Sequence, residues 1–207
     1  MTKCTPPQQE KKTISRTLVT IIAACFVTAT GSVYAVVDPS KVPEAKRTSL
    51  GLYLEPGESR ELLKSAAGKT LFVDVRTRAE AMYVGMSSDV DALVPFVEHE
   101  EIMSGWDEKG GRYKLEPFQD FVPEMNRRLA QKGLTKEDTV ILICRSGDRS
   151  SRAATRLAQD GYKRVYSIVE GFEGDMSPDG RRTVNGWKNA GLPWSYKLER
   201  SKMYFSK

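Results

Sequence analysis

The stretch from Thr139 to Gln159, TVILI-CRSGDRS-SRAATRLAQ, constrains this chain more than any other. An apolar run ends in a cysteine, small and polar residues follow, and a helix-forming run closes the segment. Thr139–Ile143 has the composition of a buried strand, and Arg149–Gln159 reads as a helix ended by Gly161. That helix packs through Ala153, Ala154, Leu157 and Ala158. Cys144 therefore falls at the carboxyl end of a strand, facing a helix N-terminus. Backbone N–H groups at such a junction converge on a bound anion or on the sulfur itself. Arg145, Arg149 and Arg152 add positive charge. A structural cysteine at a strand end is followed by apolar residues, not by R-S-G-D-R-S. The pattern is that of a nucleophilic thiolate.

The rest of the chain supplies a frame for that junction. Short strands are expected at Leu50–Leu54, Thr70–Val75, Ala92–Val97 and Lys163–Ile168, with Pro95 marking an edge or strand end. Helices are expected at Glu58–Ala67, Phe118–Gln131 and Thr183–Asn189. A short helix over Thr77–Tyr83 has Thr77 as N-cap and Glu80 at the capping-box position. Residues 98–117 hold three glycines among charges and read as a loop excursion. Strands alternating with helices imply an α/β fold, a small, mainly parallel five-stranded sheet with helices on both faces. Ligands bind such sheets beyond the carboxyl ends of the strands, where Cys144 lies.

Composition excludes several other chemistries. Cysteines at 4, 25 and 144 make neither a disulfide framework nor a C-x-x-C zinc site. His99 is the single histidine, so no two-histidine mechanism is available, and no metal or organic cofactor is implied. The net charge of +5 suggests nucleic acid at first sight, but without residues 1–35 there remain 28 basic and 26 acidic residues. Nucleic acid is therefore not an expected partner.

Residues 1–35 have a positively charged start, an uncharged run over 17–35 and a small-residue end at Val33-Tyr34-Ala35. This is the layout of a secretory signal cleaved after Ala35. The Thr17–Val37 run is also long enough for an uncleaved membrane anchor, and Ile22-Ala23-Ala24-Cys25 has the form of a lipobox. All three place the folded part outside the cytoplasm, periplasmic or secreted, with a membrane as partner only through an uncleaved N-terminus. A linker at 36–48, a domain at 49–196 and a tail at 197–207 complete the division.

At Cys144 the chain resembles a family. CRSGDRSS is similar to the active-site loop of rhodanese-like sulfurtransferases, roughly C-R-x-G-x-R-[ST]. LFVDVRTRAE at 71–80 resembles the family's D-V-R-x-x-x-E stretch. GYKRVYSIVEGFEG at 161–174 and GWKNAGLPW at 186–194 resemble its later segments, so the likeness spans about 50–195. The chain departs where the family continues with G-H-I-x-G-A-x-N-I, for here Gly85 precedes Met86 and no histidine follows nearby. The resemblance implies a sulfurtransferase that carries a sulfane sulfur as a persulfide on Cys144. Arg145, Ser146, Gly147, Asp148, Arg149 and Ser150 would form the substrate-binding loop. The donor would be a small sulfur-containing anion such as thiosulfate, and the acceptor a thiophile such as a protein thiol.

Arg149 is the first choice of cation beside the donor, and Arg145 the second. Two other readings share the topology. A non-catalytic rhodanese-like binding module usually lacks the cysteine. Dual-specificity phosphatases of the same fold have C-x5-R, whereas Cys144 to Arg149 is C-x4-R. Around the loop, Asp74 is expected to fix the turn after its strand, and Arg76 to pair with a carboxylate such as Glu80. His99 is expected to be exposed, and Trp106 and Tyr113 to anchor the excursion. Phe172 and Met176 are weaker candidates for acceptor contact.

Overall fold

The computed structural model describes residues 1–2, 37–100 and 102–205. The 17–35 apolar run, its cleavage site and Cys25 lie outside the described residues. Among the described residues no helix is long and apolar enough to cross a membrane.

The elements follow one another as β1 (Tyr53–Leu54), α1 (Pro56–Ser65), β2 (Thr70–Asp74), α2 (Arg78–Val84), β3 (Met86–Ser87) and β4 (Ala92–Leu93). Next come β5 (Val97–His99), β6 (Trp106–Asp107), β7 (Arg112–Tyr113), β8 (Leu115–Pro117) and α3 (Phe121–Gln131). The series ends with β9 (Thr139–Ile143), α4 (Asp148–Gln159), β10 (Arg164–Ile168) and β11 (Trp194–Ser195). Five strands form one sheet in the order β1-β10-β9-β2-β4, and every pairing in it is parallel. The expected α/β architecture is present.

β9 is the centre of the sheet because both its edges are paired and both its faces are covered. Val140 aligns with Leu71 on one side and Val165 on the other. Alternate residues of β2 and β9 feed two cores. Leu71, Val73, Val140, Leu142 and Cys144 pack against α3 and α4 through residues such as Met125 and Leu157. Phe72, Ile141 and Ile143 face the other way, onto Ala81, Phe172 and Trp187. Two-sided burial explains why TVILI reads as a continuous apolar run rather than an alternating one.

The structure differs from expectation in three places. The Ala92–Val97 strand divides at Pro95. Val94 and Phe96 still donate to the Asp74 and Val75 carbonyls, and the chain then leaves the sheet. Val97–His99 pairs instead, antiparallel, with Leu115–Pro117. The 98–117 excursion is therefore a β arm, tipped by a second antiparallel pair that joins Trp106 to Tyr113 and Asp107 to Arg112. Finally, 183–189 is a set of turns, not a helix. Gly186 has φ +98°, and a Cβ there would lie 2.5 Å from the Gly174 nitrogen, so two backbone segments touch where a helix would need room.

The segments flanking 49–196 pack on the same core. Val42 is buried, Lys46 pairs with Asp175 at 2.8 Å, and Arg128 donates to the carbonyls of Ser201 and Met203.

Candidate active site

β9 delivers Cys144 to the carboxyl edge of the sheet, and α4 starts four residues later. The turn between them depends on Gly147, the N-cap of α4, whose φ is +98°. A Cβ at Gly147 would stand 2.2 Å from the Val169 carbonyl oxygen, so glycine is required on both counts. In this conformation the Gly147 N–H donates to the Cys144 sulfur at 3.1 Å. Ser150 Oγ lies 3.4 Å from the same sulfur, donates to the Gly147 carbonyl at 3.1 Å, and is 2.8 Å from Ser167 Oγ on β10. The sulfur is thus held by an amide and backed by two buried hydroxyls.

A second backbone segment clamps the loop. Phe172 N–H donates to the Cys144 carbonyl at 2.7 Å, and Glu173 N–H to the Arg145 carbonyl at 2.9 Å. Gly171, with φ +67°, allows this approach, since its Cβ would sit 2.5 Å from the Ser146 nitrogen. The segment that follows β10 therefore lies beside the Cys144 loop.

The two loop arginines occupy different environments. Arg149 donates from both terminal nitrogens to Glu80, at 2.6 and 2.5 Å, and is largely buried. Burial alone would raise the Glu80 carboxyl, but the Arg149 hydrogen bonds and charge outweigh it and hold it down at about 2. The first-choice cation is therefore already neutralised by a carboxylate. Arg145 is half-buried, and its Nε is shielded from solvent without a hydrogen-bond partner. Burial, followed by the like charges of Arg182 and Arg149, lowers its pKa. An anion beside Cys144 would meet Arg145 as the less compensated cation.

The remaining loop members divide by depth. Ser146 and Asp148 line the cavity above the sulfur, while Ser150 is fully buried beneath it. Asp148 is turned outward, in an exposed pair with Arg152 at 2.9 Å. Cys144 itself is 1% exposed, at the floor of a cavity of about 520 Å3. The far wall of that cavity is the β arm, through Val97, Trp106, Arg112 and Leu115. An adjoining cavity of about 360 Å3 lies between Glu80, His99 and Tyr113.

Several residues stand elsewhere than expected. Arg76 does not take Glu80. It is fully buried, makes a two-pronged pair with Asp74 whose shortest contact is 2.6 Å, and donates to the Gly85 carbonyl. Its guanidinium carbon lies 4.1 Å from the centre of the Phe172 ring. Asp74 does fix the turn, accepting from the Arg76 N–H at 3.0 Å. Phe172 is fully buried under Arg76 and faces no solvent, whereas Met176 is exposed. His99 is half-buried, with Nδ1 shielded and unpartnered, and it lines the second cavity. Trp106 and Tyr113 stack edge to face at 5.5 Å; Trp106 lines both cavities and Tyr113 the second. Ser167 was hidden from sequence reasoning; its position inside an apolar strand was the one available signal. Among the described residues no group of three or more His, Cys, Asp or Glu is placed to hold a metal ion.

The chain is similar to known proteins. Residues 58–177 fit the family model of the rhodanese-like domain, and the chain belongs to that family. An uncharacterized protein of Rickettsia prowazekii is 45% identical over 62 residues, which are 30% of this chain and 46% of that protein. The chain thus spans under half of that relative's length. The thiosulfate sulfurtransferase GlpE of Tolumonas auensis is 38% identical over 55 residues, 27% of this chain and 47% of that enzyme. The crystal structure of Rv0390 from M. tuberculosis superimposes with a TM-score of 0.53 at 28% identity, covering 70% of this chain and 96% of that one.

Proposed function

We propose that this protein is a sulfurtransferase and that Cys144 carries the sulfur. The observation that supports it most is the Gly147 N–H directed at the Cys144 sulfur, at the junction of a central strand and a helix N-terminus. The Cys144 thiolate attacks the outer sulfur of thiosulfate. The S–S bond of the donor breaks, sulfite leaves with the electron pair, and Cys144 holds the outer sulfur as a persulfide. Arg145 offsets the charge of the donor, and the loop amides that of the persulfide. An acceptor nucleophile then takes the outer sulfur and returns the thiolate.

Purified protein incubated with thiosulfate should gain one sulfur atom by intact mass and turn over cyanide to thiocyanate. Cys144→Ala should show neither. Turnover by the alanine variant at the rate of the unmodified protein would end the proposal. Export through residues 1–35 belongs to the same reading. N-terminal sequencing of protein from its native host should begin at Val36, and a start at Met1 would remove cleavage from it.

A further inference from the structure

The cavity over Cys144 is too large for the donor alone. Thiosulfate has five heavy atoms and needs at most about 150 Å3, at roughly 30 Å3 per water-sized group. The cavity measures about 520 Å3, and the adjoining one about 360 Å3. Trp106, Arg112, Leu115, Arg145 and Arg149 wall both, so the two cavities adjoin along the arm.

The adjoining walls have a definite chemistry. Trp106 and Tyr113 are each about half exposed, 46% and 48%, although they are the large aromatics of the arm tip. The tip is ordered by its own contacts. Asp107 accepts from the Gly110 N–H at 3.0 Å and pairs with Arg112 at 3.3 Å, and Lys114 N–H donates to the Gly105 carbonyl. Ordered aromatics left half in solvent along adjoining cavities, one of which holds the nucleophile, gain from an apolar group laid against them. Arg145, with its shielded and unpartnered Nε, lines both cavities, with Cys144 in one and Tyr113 in the other. The sulfur is 1% exposed at the floor of the cavity beside the arm, so a slender small thiol reaches it more readily than a cysteine held on the surface of a folded partner.

We infer that the acceptor is a small thiol bearing a carboxylate and an apolar side group, the carboxylate set against Arg145 and the side group against Trp106 and Tyr113. This rests on the persulfide proposed above. The acceptor thiol gives its proton to the persulfide anion, and the resulting thiolate attacks the outer sulfur as the Sγ–S bond breaks with its electron pair going to Sγ. The acceptor leaves as a hydropersulfide with the proton, and Cys144 is again a thiolate.

The test uses the protein loaded with thiosulfate, with the extra sulfur verified by mass. Its discharge is timed with 2-mercaptopropionate, with 2-mercapto-3-phenylpropionate and with reduced thioredoxin as a protein thiol. The two small acids share their thiol and carboxylate and differ only in the phenyl group. The phenyl compound should discharge the protein about tenfold faster than its parent, as burial of one ring against aromatic walls implies. Thioredoxin should be slower than both. Trp106→Ala and Tyr113→Ala should bring the phenyl-to-parent ratio close to one. Equal rates for the two acids in the unmodified protein, or fastest discharge by thioredoxin, would overturn the inference without need of any variant. Failure of Cys144 to load at all would instead overturn the sulfurtransferase reading.

Discussion

Arg149 and Glu80 form a two-pronged ion pair, at 2.6 and 2.5 Å, that ties the Cys144 loop to the capping box of α2. The same Glu80 Oε2 accepts from the N–H and the hydroxyl of Thr77, so one carboxylate caps a helix and holds the loop.

The pair makes stability depend on pH in a defined window. Glu80 is held at about 2 against an ordinary value of 4.5, a folded value below the unfolded one. Its contribution is therefore present above about pH 4.5 and is lost as the pH falls toward 2. Its size is on the order of 3 kcal/mol. Urea unfolding of the protein and of Glu80→Gln should differ by a constant amount from pH 5.5 to 7.5, about 2–4 kcal/mol, and the gap should shrink below pH 4.5. A gap that widened on acidification would exclude this role for the pair.

Gly147→Ala should damage the loop before it damages the sheet. The new Cβ meets the Val169 carbonyl at 2.2 Å, and φ +98° is strained for alanine. The expected loss is about 2–4 kcal/mol in unfolding free energy, from the strain and the backbone shift together. Persulfide loading should fall at least about tenfold, because the N–H donated to the sulfur moves with the backbone. Unaltered loading would show that the Gly147 amide is dispensable.

Asp74 and Arg76 should behave as a buried unit. Both side chains are fully shielded, so removing one strands the charge of the other. Burial works against the Arg76 charge, but Asp74 outweighs it and raises the arginine further. Asp74→Ala should cost about 3–5 kcal/mol, whereas Asp74→Leu combined with Arg76→Met should recover much of that loss. Thermal melts of the unmodified protein and the two variants decide it, and a double variant as unstable as the single one would contradict the charge-stranding account.

What was legible in the chain was local. The strand, the cysteine and the helix are neighbours in sequence, and two-sided burial writes itself into TVILI, so the centre of the site could be placed from pattern alone. Thr77 and Glu80 show a capping box because its partners lie three residues apart. Partner choice across the fold was not legible. Nothing in DVRTRAE says that Glu80 goes to Arg149, 69 residues away, and that Arg76 turns back to Asp74. The arm was hidden for a similar reason. Its strands are only two or three residues long and are held by pairing, with too little apolar alternation to show a period. The 183–189 segment misleads because its glycine serves a backbone contact with Gly174, which no local propensity records.

The hydroxyls behind Cys144 carry the last prediction. Ser150 Oγ is 3.4 Å from the sulfur and 2.8 Å from Ser167 Oγ, and both serines are fully buried. Ser150 has one proton to give. In the structure it donates to the Gly147 carbonyl at 3.1 Å, and rotation about its Cβ–Oγ bond directs it to the sulfur once that sulfur is anionic. Ser167 touches Ser150 but has no contact with the sulfur, so it acts by supporting the rotation. Alkylation of Cys144 by iodoacetamide, in protein whose Cys4 and Cys25 are replaced by serine, should slow about five- to tenfold in Ser150→Ala, the worth of one hydrogen bond to an anion. Ser167→Ala should slow it by less, about two- to threefold. The double variant should match Ser150→Ala alone, because Ser167 has nothing to support once the Ser150 hydroxyl is gone. If the two losses multiplied, each serine would act on Cys144 independently, and the relay through Ser150 would be wrong.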